Sequence, residues 1–203
     1  MGEKFLNKAY ELQSVEETRA LYDNWSDSYD SELLENGYAT PRRVAEALAK
    51  YADKNKPVLD YGCGTGLCGL TLKEAGFETL DGADLSQEML EIAEKKNVYR
   101  KLTHIDPNIP LAISPGDYSA ITACGVIGIG GAPLSVFDTI VSFLDKKGLF
   151  AFSFNDTSLS DPCYEAKVME YTDCGFARLL FREHGEHLPG INLKSMVYVI
   201  QKN

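Results

Sequence analysis

The sequence has no Cys-x-x-Cys pair, no long apolar run and no surplus of positive charge. Its five cysteines (Cys63, Cys68, Cys124, Cys163, Cys174) are scattered and odd in number. That pattern excludes a zinc ribbon or disulfide frame and reads as small buried residues in a reducing, cytoplasmic compartment. The opening stretch MGEKFLNKAYELQ mixes charges of both signs and lacks the apolar segment of a signal peptide or membrane span. Met-Gly opens the myristoylation pattern, but Leu6 stands where Ser or Thr is required. Basic residues number 20 against 30 acidic ones, for a formal charge of −10. Affinity for nucleic acid comes largely from neutralising phosphates, so a DNA or RNA partner is disfavoured. No repeat, low-complexity tract or linker divides the 203 residues, and no signature sets an oligomeric state. A chain of that length can bury one full core.

What is present is an alternation of strand and helix patterns. Residues 14–51 read as helical, with Thr40 capping a helix over Pro41–Tyr51. Strands are predicted at Val58–Tyr61, Phe77–Asp84, Val98–His104, Tyr118–Cys124 and Gly148–Phe154. Helices fall between them at Leu67–Ala75, Gln87–Lys96 behind the cap Ser86, and Pro133–Leu144. A further helix starts at Asp161-Pro162 and runs to Cys174, and strands Phe176–His184 and Ser195–Gln201 close the chain. The alternation predicts an α/β, three-layer, Rossmann-like fold. Its seven-stranded sheet is mostly parallel, with an antiparallel C-terminal hairpin. Residues 1–51 are expected to form a helical lid and residues 52–203 the main body. An open sheet of this kind binds its ligand beyond the carboxyl ends of its strands.

The first strand ends in LDYGCGTGLCG, Leu59–Gly69, which fits two templates. From Gly64 it is the dinucleotide fingerprint G-x-G-x-x-G; from Asp60 it is D-x-G-x-G-x-G. A dinucleotide loop attracts a pyrophosphate through backbone N–H groups and a helix N-terminus. A carboxylate two residues before the first glycine opposes that, the more so where the local dielectric is low. A ligand carrying an ammonium or sulfonium and no phosphate, such as S-adenosylmethionine, meets no such conflict. Asp84 closes the next strand and is placed to accept ribose hydroxyls, which serves either ligand.

With these features the sequence resembles the class I S-adenosylmethionine-dependent methyltransferases. LDYGCGTG is similar to their first motif and DGADLSQEML to their second, and the likeness runs from about Tyr22 to Asn203. YDNWSDSYDSEL and GVIGIGGAP are similar to the methyltransferase-like family named for the Williams–Beuren region and its bacterial relatives. Where that family often carries histidine in the glycine-rich segment, this chain has Ile129 and Gly131. The resemblance implies that Asp60 and the backbone of Gly62, Cys63 and Gly64 hold the methionine part of the cofactor. Asp84 would bind the ribose, and Leu85 and Met89 would pack on the adenine, Met89 reading equally as core. Ile105 or Asp106 would meet the adenine edge, Asp106 reading also as a turn carboxylate before Pro107. Cys124 borders the same site, with plain packing as its alternative.

Tyr22, Trp25 and Tyr29 lie at i, i+3 and i+7 on one helix face. They either pack that helix on the body or cover the cofactor, screening a cation with aromatic faces and excluding water. No catalytic residue is assigned. His104, His184 and His187 are the candidate bases, each with a surface-loop position as the simpler reading. EHGEH has no zincin spacing, so no metal is expected. The fourth strand ends in Ala123-Cys124-Gly125-Val126 rather than an Asn/Asp-Pro-Pro-aromatic tetrad, which disfavours methylation of nucleobase amines. Cys124 lacks the Pro-Cys context of a cytosine-C5 nucleophile. The apolar wall Ile127–Gly131 suits a small acceptor. The rival readings are a protein or RNA methyltransferase, an NAD(P)-dependent oxidoreductase and an inert cofactor-binding module.

Overall fold

The computed structural model describes residues 15–203, apart from the side chains at positions 15, 16, 18, 19, 22, 26 and 27. The elements are α1 (Val15–Glu35), α2 (Thr40–Leu48), β1 (Val58–Tyr61), α3 (Leu67–Glu74), β2 (Leu80–Asp84), α4 (Gln87–Lys95) and β3 (Lys101–His104). There follow β4 (Ala120–Ala123), α5 (Ser135–Phe143), β5 (Leu149–Asn155), α6 (Asp156–Leu159), α7 (Pro162–Asp173), β6 (Ala177–Leu188) and β7 (Leu193–Lys202). The seven strands form one sheet in the order β3-β2-β1-β4-β5-β7-β6. The first five are parallel neighbours, and β7 pairs antiparallel with both β5 and β6. No helix among the described residues is long and apolar enough to cross a membrane.

Strand alternation divides the core between the two sheet faces. Phe150, Phe152, Phe154, Tyr198 and Ile200 point to the face covered by α5 and α7, where Phe137, Ile140 and Val168 are buried. Ala151, Val197 and Val199 point to the other face, against Val44 and Leu48 of α2 and Leu72 of α3. Burying a side chain the size of Phe or Leu stabilises by about 1.5–3 kcal/mol, so these two layers supply most of the driving force. The buried part of α2 places it in the body, not in a cover as the expected 1–51 lid had it. Trp25 and Leu33 of α1 form a third, smaller cluster with Leu188.

Two predicted caps are present. Ser86 accepts from Met89 N–H, and Asp161 accepts from Cys163 N–H. Thr40 is not a cap: its hydroxyl is buried and bonded to His187 and Ser195, and Ala39 stands at the cap position with no side-chain bond. The hairpin is longer than predicted, because the polar run to Leu188 lies on the outermost strand and needs no alternation. Cys163 and Cys174 are exposed, so only part of the buried-cysteine reading holds.

Candidate active site

The order of the sheet reverses at β1 and β4, and a crevice opens beyond their carboxyl ends. A cavity of about 680 Å³ occupies it. Four strand ends line it: Tyr61–Gly64 at the end of β1, Asp84–Ser86 at the end of β2, Ile105–Asp106 after β3 and Cys124–Val126 after β4. Tyr29 of α1, Tyr38 after it and Pro107–Leu111 after β3 also line it. Among the described lining residues there are two carboxylates, Asp84 and Asp106, and no Lys, Arg or His.

The glycine loop is shaped for close approach. Gly64 has φ +51, and a Cβ built on it would meet nothing within 4 Å, so its backbone faces open space. Gly64 N–H donates to Asp84 Oδ2 at 2.7 Å, and Ser86 N–H donates to Oδ1 at 2.9 Å. Burial pushes the Asp84 carboxyl upward, and these backbone donors pull it back. A carboxylate has about four acceptor sites, so both oxygens retain capacity toward the cavity. Gly69 of α3 is a packing position: a Cβ there would lie 2.3 Å from the Tyr99 hydroxyl.

Asp60 is placed behind the lining and not in it. It is 1% exposed, accepting from Tyr99 at 2.7 Å and from Thr122 at 2.7 Å. Alternation along β1 sends Tyr61 to the cavity side and Asp60 beneath α3, so Asp60, expected to hold part of a cofactor, lies below the cavity lining and not in it. Burial pushes the Asp60 carboxyl up; hydrogen bonds from Tyr99, Thr122 and Cys68 oppose that. The remaining expected site residues with described side chains, Tyr29, Gly62, Cys63, Gly64, Asp84, Leu85, Met89, Ile105, Asp106 and Cys124, all line the cavity. Asp106 also makes the turn, accepting from Asn108 N–H at 2.8 Å. The Tyr22 side chain lies outside the described residues.

A family model for a methyltransferase domain matches residues 33–197. The chain belongs to that family. Methyltransferase-like protein 27 of Homo sapiens is 30% identical over 130 residues, covering 62% of this chain and 53% of its own. Ribosomal protein L11 methyltransferase of Paraburkholderia phymatum is 26% identical over 136 residues, with shares of 62% and 44%. The chain thus spans about half the length of these relatives. Among solved structures, a chain of the complex between the Haloferax volcanii Trm112 methyltransferase activator and a methyltransferase superposes with TM-score 0.68. At 14% identity it covers 91% of this chain and 97% of that one, a likeness of fold.

In this member of the methyltransferase-domain family, α1 is latched over the glycine loop by contacts that sequence reasoning missed. Asp30 accepts from Thr65 Oγ1 at 2.5 Å and pairs with Lys96 Nζ at 2.6 Å. The same ammonium donates to the Thr65 carbonyl at 2.7 Å. Tyr38 was missed as well: its hydroxyl lies 3.8 Å from Cys124 Sγ, and a Cβ on Gly125 would lie 2.6 Å from it. The polar side chains of α1 gave no local sign of such partners, and Tyr38 lies beyond the aromatic i, i+3, i+7 face.

The histidines part company. His104 Nε2 bonds the Leu85 carbonyl at 2.9 Å on the surface, and exposed His184 pairs with Asp156 at 2.7 Å. His187 is no surface loop residue; it is 6% exposed in β6 and shares a chamber of about 60 Å³ with Trp25, Tyr29, Tyr38, Ser153 and Asn155. This chamber adjoins the main cavity through Tyr29, Tyr38, Gly125, Val126 and Gly131. Burial holds the His187 imidazole down at about 4, Arg43 reinforcing and Asp156 opposing, so it is neutral at physiological pH.

Proposed function

We propose that the chain is an S-adenosylmethionine-dependent methyltransferase acting on a small molecule. The observation that carries the cofactor is the pairing of an open glycine loop with carboxylates and no described cation. Asp84 has acceptor capacity for ribose hydroxyls, Leu85, Met89 and Ile105 supply an apolar slot for a base, and Gly64 permits close approach. A pyrophosphate would instead face Asp84 and Asp106 without a compensating positive charge. Tyr29 and Tyr38 then screen the reactive end from water, which protects an electrophilic methyl group. When bound, the cofactor would supply that methyl group. The chain's own contribution is alignment, since holding the partners in line supplies a large share of such an acceleration.

The small adjoining chamber supports a small acceptor. One water needs roughly 10–15 Å³ of such space, so about 60 Å³ admits only a few heavy atoms. Calorimetry with S-adenosylhomocysteine and with NADH tests the cofactor. Binding of the first and not the second is expected; the reverse overturns the assignment. A turnover screen over small acceptors then separates an enzyme from an inert binding module.

A further inference from the structure

We infer that the chamber beside the cofactor cavity recognises a carboxylate on the methyl acceptor, with His187 as a hydrogen-bond donor and not as a base. This rests on the methyltransferase reading above and deepens it. The direction of His187 follows from a chain of hydrogen bonds that begins at Arg43. Arg43 Nη1 can only donate, and it donates to Ser195 Oγ at 3.0 Å. Ser195 is fully buried, and Thr40 Oγ1 at 2.9 Å is the acceptor its hydroxyl proton finds among the described residues, so satisfying that proton directs it there. Thr40, accepting there, directs its own proton to His187 Nδ1 at 2.7 Å. Nδ1 is therefore the acceptor nitrogen, and in the neutral ring the proton sits on Nε2. His187 is more than nine-tenths buried and lines the chamber, and its Nε2 has no hydrogen-bond partner among the described residues.

Asn155 supplies the second donor. Its Oδ1 accepts from Ser158 N–H at 2.9 Å, which identifies that atom as the oxygen. The amide N–H₂ is left without a partner among the described residues, on a residue that lines the same chamber. Asn155 pairs with Ser195 across β5 and β7, so the second donor stands next to the relay that orients the first. No carboxylate or other charged side chain is among the described residues lining the chamber. Two neutral N–H donors, with a guanidinium behind one of them, suit a planar oxyanion. A bare hydroxyl would satisfy them less well, since it brings one oxygen and a proton of its own.

The test uses the full chain saturated with S-adenosylhomocysteine, and saturation-transfer NMR with benzoate and hexanoate against benzyl alcohol and hexanol. Carboxylates are expected to bind at least ~10-fold more tightly than the matching alcohols, about one charge-assisted hydrogen bond. His187→Phe should erase that preference. Thr40→Val, which removes the proton given to Nδ1 and frees the tautomer, should reduce it several-fold. Both variants should keep their affinity for S-adenosylhomocysteine, which also reports that they fold. Equal binding of alcohols and carboxylates, or a preference that survives His187→Phe, would overturn the inference. Failure of the unaltered chain to bind S-adenosylhomocysteine would instead overturn the cofactor reading, whatever the carboxylates do.

Discussion

Replacing Asp84 by Ala tests the proposed site at the residue that would tie the glycine loop to the cofactor. In the structure its two oxygens each hold one backbone amide, from Gly64 and from Ser86, and keep further acceptor sites toward the cavity. A hydrogen bond to a charged group is worth about 1.5–3 kcal/mol. Two bonds to vicinal ribose hydroxyls, taken at the low end, come to about 3 kcal/mol, or roughly 100-fold in Kd. Calorimetry should therefore show S-adenosylhomocysteine binding to Asp84→Ala weakened by about that factor. A second ligand separates the two roles of Asp84. The unaltered chain should lose a similar factor for the 2′,3′-dideoxy analogue, and Asp84→Ala should then lose little more. That non-additivity is the signature of direct contact. If the substitution and the missing hydroxyls weaken binding independently, Asp84 acts only by holding the loop. Unchanged affinity in the variant would refute the placement of the cofactor altogether.

Other expectations are equally open to measurement. Lys96→Met should unlatch α1 from Thr65 and weaken S-adenosylhomocysteine several-fold, about 1 kcal/mol for a partly exposed pair, with little change in melting temperature. Gly69→Ala should destabilise by about 1–3 kcal/mol in a denaturant titration, because a Cβ there displaces Tyr99 from buried Asp60. For His187 the folded pKa lies below the unfolded one. Its contribution is thus full above the unfolded value of about 6.5 and is lost as pH falls toward about 4. Acid titration of stability should show a loss on the order of 3 kcal/mol over that window that is absent in His187→Gln. At Asp81, burial raises the carboxyl, but Arg100 and Tyr118 together hold it below the usual carboxylate range. Asp81→Asn should cost about 1–2 kcal/mol near neutral pH, and the difference from the unaltered chain should shrink as acid titrates Asp81 below about pH 4.

What was legible in the sequence was local. Ser86 and Asp161 declare themselves because a cap acts within three residues, and the glycine loop because its positive φ values admit little else. The parallel sheet followed from element order, and the cavity from the rule that such sheets bind at their carboxyl ends. The misreadings concern side chains whose partners are remote in sequence. Thr40 before Pro41 has every mark of a cap, yet its hydroxyl meets residues 147 and 155 positions away. His187 sits in a polar stretch that reads as loop, and only the fold buries it under Tyr38. The four-residue helix α6 is too short for any periodicity to register.

Asp60 is the instructive case, because the argument against a phosphate passes from it to its neighbours. A fully buried four-residue strand carries no polar alternation, so the sequence offers no means of choosing which face Asp60 takes. On the sequence, repulsion of a phosphate by Asp60 decides between the two templates. In the structure that carboxyl is turned beneath α3 and satisfied by Tyr99 and Thr122. The acidity at the cavity surface comes from Asp84 and Asp106. Asp60 keeps a structural part, since its partners hold β1 to β4 and to the segment before β3, and so set the loop above it. Hence Asp60→Asn should leave one poorly matched polar pair and a cost of about 1–3 kcal/mol in stability, by loss of good acceptors for two donors. Its effect on S-adenosylhomocysteine affinity should be much smaller than that of Asp84→Ala. An affinity loss as large as that at Asp84, with stability unchanged, would return Asp60 to the ligand.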